Sequence, residues 1–273
     1  MIRINDLGFS YGENPVLKDI TMTLEEGRIY GLLGENGVGK TTLLTLLCGL
    51  KKAKAGSIEI DGHNPYDREP SLLSELYYLS DEVAAANMTA KSYAENYGKF
   101  WEGFDMSKFT TVMEEFENDA QQKMNKMSFG QLKKTYIAFA LACNTKYLLM
   151  DEPTNGLDIP SKAQFRKAIM KHTREDAALL ISTHQVRDLE NIIDPIIILD
   201  RQGVLLNASI EEIADKLFFD YSNEKAADAL YSEMIPGGSI QVLPNNEKKD
   251  SKVNIEALFN TVHQHKELIK GMF

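Results

Sequence analysis

The sequence feature that most constrains the fold is the stretch from Gly34 to Thr42, which reads Gly-Glu-Asn-Gly-Val-Gly-Lys-Thr-Thr. It has the spacing of a phosphate-binding loop: glycine, four residues, then glycine, lysine and threonine. An apolar run at 28–33 precedes the loop, and a helical pattern follows it. Glycines let successive backbone N–H groups turn toward an anion, and the N-terminus of a helix adds partial positive charge. The chain is therefore predicted to contain a buried strand, a tight loop and a helix, in that order.

Every residue of this loop is a candidate for binding the phosphates of a nucleotide. Lys40 is expected to reach the β- and γ-phosphates, and the Thr41 hydroxyl is placed to bind Mg²⁺. The candidate nucleotide-binding residues of the loop are Gly34, Glu35, Asn36, Gly37, Val38, Gly39, Lys40, Thr41 and Thr42.

A second motif, at 147–153, is an apolar run that ends in two acidic residues and a proline. Taken alone, it fits a buried strand whose end carries a solvated carboxylate pair. In a chain that also has a phosphate-binding loop, Asp151 becomes a candidate for the Mg²⁺ site, and Glu152 is placed to polarise an attacking water. The two carboxylates are thus predicted to have different roles.

Short apolar runs alternate with longer helical patterns, which predicts an α/β fold with a mainly parallel sheet around the phosphate-binding loop. Two-fold alternation in the first sixty residues adds an antiparallel β subdomain. Helical patterns with Thr89, Asp105 and Ser128 as expected N-caps predict an inserted helical subdomain at about 83–145. Parallel strands are then expected to resume near residue 147.

The composition changes after Phe219 to a polar segment with short apolar islands. We therefore expect a main domain at 1–219 and a small α+β appendage at 220–273. The appendage is predicted to contain a helix, a strand or two through 239–243, and a last amphipathic helix from about Ile255.

Composition excludes several classes of protein. Thirty Lys and Arg against 40 Asp and Glu give a net charge of -10, which argues against a nucleic-acid partner. No run approaches the 18 or so apolar residues of a membrane-spanning helix, and residues 1–6 lack the apolar centre of a signal peptide. Cys48 and Cys143 lie in apolar helical runs and are expected to be buried thiols in a reducing compartment. A cytoplasmic protein is expected.

Further motifs follow in a fixed order. Residues 127–131, Met-Ser-Phe-Gly-Gln, are similar to the signature of the nucleotide-binding subunits of ATP-binding-cassette (ABC) transporters. Residues 155–158, Asn-Gly-Leu-Asp, resemble the D-loop of that family, and His184 ends a strand as its switch histidine does. Tyr11 matches the aromatic residue that stacks on adenine. The resemblance covers residues 2 to about 218 and is closest to single-cassette bacterial subunits.

The resemblance implies ATP and Mg²⁺ as ligands, with Glu152 as the general base, His184 holding the γ-phosphate and Lys40 completing the catalytic set. It places four further residues at nucleotide held between two cassettes: Ser128, Gly130, Gln131 and Asp158. The partners that it implies are a second cassette, in a homodimer or a heterodimer, and a separately encoded integral membrane permease. The subunit would then act at the cytoplasmic face of the cell membrane, and the short helical insertion and the appendage favour an exporter.

Two positions depart from the family pattern. Phe129 stands where the signature usually has a glycine. After Tyr77-Tyr78-Leu79-Ser80, either Asp81 or Glu82 stands where an amide is expected. Two interpretations of Asp81 remain open: a carboxylate that meets Mg²⁺ through water, or an acid that caps a helix.

Two other functions remain as alternatives. A soluble ABC-type ATPase acting on DNA or ribosomes is disfavoured because the chain shows neither a heptad run nor a tandem duplication. A regulatory module without turnover is disfavoured because Lys40, Asp151, Glu152 and His184 are all present.

Overall fold

The computed structural model describes residues 1–201, 203–222 and 226–273. The strands within these ranges are β1 Ile2–Tyr11, β2 Asn14–Leu24, β3 Ile29–Leu33, β4 Ala55–Ile60, β5 Leu76–Leu79, β6 Tyr147–Asp151, β7 Ala178–Thr183, β8 Ile196–Asp200, β9 Gly203–Ala208, β10 Leu217–Ser222, β11 Tyr231–Ile235 and β12 Gly238–Pro244. The α-helices are α1 Lys40–Leu47, α2 Pro70–Leu73, α3 Ala90–Tyr97, α4 Met106–Glu115, α5 Phe129–Ala142, α6 Ile159–His172, α7 Ile210–Lys216, α8 Ile255–Gln264 and α9 Lys266–Met272. Short 3₁₀ helices lie at Pro65–Asp67, Gly98–Phe100, Met124–Lys126 and Val186–Asp188.

The central sheet has the strand order β5-β6-β7-β3-β8-β9. Pairing is parallel from β5 through β8, and β9 joins the edge antiparallel to β8. Every residue of β6 and β7 is buried, which explains why these strands are continuous apolar runs in the sequence. Leu148 and Met150 face one core layer, whereas Tyr147 and Leu149 face the other. The predicted α/β class with a mainly parallel sheet is confirmed.

The N-terminal subdomain is a sheet of order β2-β1-β4, and both of its pairings are antiparallel. Its inward side chains, such as Ile2 and Ile4, share a buried cluster with Leu43 and Leu47 of α1. The alternation of apolar and polar residues in the first sixty positions thus reflects a sheet with one buried face.

The helical subdomain forms between β5 and β6. The side chain of Thr89 accepts a hydrogen bond from the backbone N–H of Ser92 at the start of α3. Asp105 caps α4 by accepting from the backbone N–H groups of Ser107 and Lys108, and Ser128 opens α5 with a reciprocal capping box to Gln131. Each cap satisfies N–H groups that the first helical turn leaves without partners. These helix starts lie where the sequence predicts them.

The C-terminal segment forms a sheet of order β10-β12-β11, which packs against α8, while α9 packs against β9 of the central sheet. Strand β10 spans residues 217–222, so the predicted boundary at 219 falls inside it. Ile255 and Leu258 of α8 belong to the same buried cluster as Leu179 of the central sheet. Helix α8 also contacts the 3₁₀ turn at 186–188.

One secondary-structure prediction in this segment was wrong. The described residues after 225 form strand β11 before β12, where a helix was expected. The reason is non-local, because β11 is stabilised by antiparallel pairing with β12. Tyr231 pairs with Val242 and Glu233 with Ile240, and the local sequence pattern does not reveal this pairing.

Both cysteines are free and buried, with 5% of Cys48 and 1% of Cys143 exposed. Burial raises the pKa of the Cys48 thiol to about 11 and raises that of Cys143 as well. Both thiols therefore stay protonated at neutral pH and behave as small core side chains. Within the described ranges, no helix has the length and apolar character needed to cross a bilayer.

Leu258→Ala tests whether α8 is part of the main core. Leu258 is 0% exposed, so truncation is expected to cost about 2–5 kcal/mol of unfolding free energy. Trp101, the sequence's single tryptophan, lies in the helical subdomain, and its fluorescence midpoint in urea should fall. Leu268→Ala, at a position 46% exposed, is the matched control. An unchanged Trp101 midpoint in Leu258→Ala would show that the C-terminal segment unfolds separately.

Candidate active site

The phosphate-binding loop connects the end of β3 to the start of α1. Gly39 has φ of 111°, and a Cβ there would lie 2.7 Å from the Leu17 side chain, so glycine is required. Lys40 is 6% exposed, and its ammonium donates to the carbonyls of Gly34 at 2.8 Å and Glu35 at 3.2 Å. The loop is therefore folded around its own lysine.

Asp151, at the end of β6, is the centre of a hydrogen-bond network. The Thr41 hydroxyl donates to Asp151 Oδ2 at 2.6 Å, and the Ser182 hydroxyl donates to Oδ1. Tyr78 Oη lies 3.5 Å from Oδ2, and burial together with the Asp151 charge raises the pKa of this phenol. Asp151 and Ser182 are register partners in the parallel pair β6 and β7, so strand pairing itself builds this contact.

Glu152 lies between two candidate catalytic groups. Its Oε1 is 2.9 Å from His184 Nδ1 and 3.7 Å from Lys40 Nζ, and its Oε2 accepts the His184 backbone N–H at 3.3 Å. Its backbone has φ of 44°, and its N–H donates to the Ser182 carbonyl at 3.2 Å. Burial lowers the pKa of Lys40, and the charges of Glu152 and Asp151 oppose that shift. Glu152, His184 and Lys40 are thus gathered in one site.

A cavity of about 480 Å³ opens over this arrangement, within the size range of small-molecule sites. Its lining residues are Tyr11, Val16, Asn36, Gly37, Gly39, Lys40, Thr41, Thr42, Asp81, Glu152, Asn155 and His184. The predicted residues Gly34, Glu35 and Val38 are not among the lining residues. The backbone carbonyls of Gly34 and Glu35 accept hydrogen bonds from Lys40, and Val38 is 2% exposed.

Tyr11 stands at the mouth of the cavity with 48% of its surface exposed. Its hydroxyl is 3.4 Å from Thr42 Oγ1, and its ring packs edge-on against Phe9. The Lys51 ammonium lies 5.0 Å from the ring centroid. An exposed aromatic ring with a cation at one face is suited to stacking on a nucleotide base.

Asp81 lies on the cavity wall and contacts two side chains. Its Oδ1 is 3.2 Å from Lys133 Nζ and 3.3 Å from Asn155 Nδ2. The helix-capping interpretation of Asp81 was wrong, because Thr89 caps the next helix, α3. A role for Asp81 at a metal ion remains a prediction.

Of the predicted signature and D-loop residues, Ser128, Gly130, Gln131 and Asp158 lie outside the lining of this cavity. Ser128 and Gln131 cap α5, while Asp158 caps α6 by accepting from Ser161 N–H at 2.9 Å. Phe129 is 50% exposed, and its ring packs on the D-loop, where a Cβ added to Gly156 would lie 2.5 Å from it. The N-terminus of α5 and its Ser128 therefore do not line the cavity of the chain's own phosphate-binding loop.

Some site residues were missed by sequence reasoning. Ser182, Tyr78 and Lys133 each contact a predicted carboxylate, and Asn155 lines the cavity although only its motif had been noted. Ser182 could have been predicted from the sequence, because it lies near the end of β7, the strand that His184 follows directly. Lys133 gave no such signal, because its partner Asp81 is 52 residues away in sequence.

The donor set fits Mg²⁺. The Thr41 hydroxyl and the Asp151 carboxylate are hard oxygen donors in contact with each other, and Thr41 lines the cavity. Mg²⁺ in nucleotide sites uses one or two such groups together with phosphate oxygens and waters. Among the described residues, no group of three or more His, Cys, Asp or Glu side chains is arranged to hold a metal ion.

Comparison with known proteins gives concordant matches. A model of the ABC transporter family matches residues 17–155, which include the loop and both acids. A probable ABC transporter ATP-binding protein of Azorhizobium caulinodans is 32% identical over 76% of this chain and 76% of its own length. The bacitracin transport ATP-binding protein BcrA of Bacillus licheniformis is 30% identical over 76% of this chain and 68% of its own. A dimeric post-hydrolysis structure of the ATP-binding cassette MJ0796, bound to ADP and Pi, aligns with a TM-score of 0.66 at 23% identity, covering 77% of this chain and 98% of that one.

Lys40→Met tests the loop directly. Charge-assisted hydrogen bonds contribute about 1.5–3 kcal/mol each, so loss of the ammonium is expected to weaken ATP binding by about 10- to 100-fold. Isothermal titration calorimetry measures the change, with Lys52→Met, at an exposed position just beyond α1, as the control. Unchanged ATP affinity in Lys40→Met would contradict the assignment of this loop.

Proposed function

This chain belongs to the ABC transporter family as an ATP-binding subunit, and from that premise we propose that it drives a separate permease, as an exporter, through ATP-dependent closure of two cassettes. Members of this family hydrolyse ATP. The observation that carries the proposal is the convergence of Lys40 and His184 on Glu152 Oε1, at 3.7 and 2.9 Å, in the cavity of the phosphate-binding loop.

The geometry supports hydrolysis with Glu152 as the base. ATP would draw the Lys40 ammonium from the loop carbonyls to its β- and γ-phosphates. A water on the Glu152 side gives a proton to that carboxylate while its oxygen attacks the γ-phosphorus, and the bond to the β-phosphate oxygen breaks to leave ADP and phosphate. His184 holds the carboxylate through Nδ1 and its backbone N–H. Mg²⁺ held by Thr41 and Asp151 would neutralise charge on the phosphate oxygens.

Closure of two cassettes is supported by the position of α5. Its N-terminus carries Ser128, Gly130 and Gln131, which do not line its own cavity, and the partial positive charge of a helix N-terminus would attract a phosphate. A second copy or a related cassette, packed head to tail, would bring this terminus to the γ-phosphate and Asp158 to the interface. The MJ0796 cassette, which shares the fold, is a dimer.

Docking of a permease is supported by an apolar groove between α2 and the helical subdomain. The groove measures about 480 Å³ and is lined in part by Leu50, Leu73 and Phe100. Phe100 is 64% exposed and Leu50 is 57% exposed, as anchors for a partner's helix would be. Such a partner would hold the subunit at the cytoplasmic face of the membrane. The likeness to BcrA, a bacitracin transport ATP-binding protein, supports a role in transport.

Glu152→Gln tests the base and the closure together. The amide cannot accept the proton, so phosphate release should fall by about 10²- to 10⁴-fold while ATP binding persists. Light scattering should then show a dimer in ATP, formed either by the variant alone or with its native partner cassette. Glu114→Gln, at an exposed position on α4, is the control and should hydrolyse ATP normally. Normal turnover in Glu152→Gln would refute the assignment of the base.

Phe100→Asp tests the docking groove. In cells that co-express the permease, this variant is expected to lose most of its co-purification with it, because a carboxylate replaces an apolar anchor. Its ATPase activity in isolation should be retained. Met170→Asp, at a position 62% exposed on α6, should still co-purify. Equal recovery of permease with all three proteins would place the docking surface elsewhere.

A further inference from the structure

Lys133 of α5 has an environment that is unusual for its residue type. The residue is 0% exposed, whereas lysines are almost never fully buried unless they are paired. Its ammonium lies 3.2 Å from Asp81 Oδ1 and donates to the Asp81 carbonyl at 2.8 Å. Burial lowers the pKa of Lys133, and the Asp81 charge is the largest opposing effect.

Asp81 contacts Lys133 and also lines the cavity of the phosphate-binding loop. Its side chain is 35% exposed, it lines that cavity, and its two carboxylate oxygens lie 3.3 and 3.4 Å from Asn155 Nδ2. A single carboxylate thus connects a buried cation of the helical subdomain, the end of β5 and the segment that follows Glu152.

The charges around the cavity explain how the Asp81–Lys133 pair affects the binding of a triphosphate. Among the lining side chains, Asp81 and Glu152 are carboxylates and Lys40 is an ammonium. A triphosphate entering beside an uncompensated Asp81 would be repelled. The ammonium of Lys133, directly behind Asp81, supplies the balancing charge without itself reaching the cavity surface.

We propose that Lys133 is a positioning residue for the nucleotide site, which holds the Asp81 carboxylate in place and offsets its charge so that the cavity accepts a triphosphate. The inference rests on the proposed ATP site and adds a residue that contacts neither the nucleotide nor the acid pair. It also gives a reason for an acid at position 81: the carboxylate and the buried lysine require each other.

Steady-state ATP hydrolysis at saturating Mg²⁺ tests the proposal with three variants: Lys133→Met, Asp81→Asn and the double variant. Lys133→Met leaves a bare carboxylate facing the phosphates and should raise KM for ATP by about tenfold. Asp81→Asn removes that carboxylate, so its KM should rise clearly less than that of Lys133→Met. The double variant should return to within about threefold of wild type. Lys91→Met, an exposed lysine of α3, is the control.

A purely structural pair would behave differently. It would lower the melting temperature in both single variants and leave KM unchanged, or it would raise KM equally in both, and either result overturns the proposal. If Lys133→Met does not fold, Lys133→Gln takes its place and should raise KM about tenfold; an unchanged KM in that variant contradicts the charge argument. Lys133→Arg, which keeps the charge, should have a KM near wild type. An inactive wild-type protein would instead refute the proposed function, so the two failures are distinguishable.

Discussion

Parallel pairing of β3, β7 and β6 determines where the phosphate-binding loop, the acid pair and His184 lie. Because the carboxyl ends of parallel strands share one sheet edge, the phosphate-binding loop, Ser182 with His184, and the acid pair meet there. The register that sets Asp151 opposite Ser182 also orients Asp151 toward Thr41. Glu152 then follows at positive φ, which turns its side chain between Lys40 and His184. The sheet is thus the scaffold of the chemistry.

Much of this could be predicted because it follows local rules. The loop spacing requires a strand before it and a helix after it, and the structure has both. Thr89, Asp105 and Ser128 cap helices because a hydroxyl or carboxylate before a helical pattern satisfies free backbone donors. The function of the acid pair could be predicted only together with the phosphate-binding loop, because strands often end in solvated acids. Its convergence with His184 needed the family resemblance.

The parts that could not be predicted depend on contacts between distant segments. Lys133 precedes a second lysine, Lys134, and such a pair is typical of a solvated helix face, yet its ammonium is buried against Asp81. Strand β11 forms because its backbone pairs with β12. Residue 219 marks a real change in composition, but β10 continues to Ser222 because it pairs with β12 there. In each case tertiary pairing overrides the local pattern.

The C-terminal segment adds a competing cavity of about 470 Å³ between α8 and the loop that carries His184. A crystal structure with a non-hydrolysable ATP analogue and Mg²⁺ separates the two cavities and tests the central claim most directly. We expect the triphosphate on the backbone of residues 36–42, with Lys40 at the γ-phosphate and Ser128 of a second cassette on its other side. A nucleotide seated beside Phe259 and Asn260 of α8, with the phosphate-binding loop unchanged, would contradict the account.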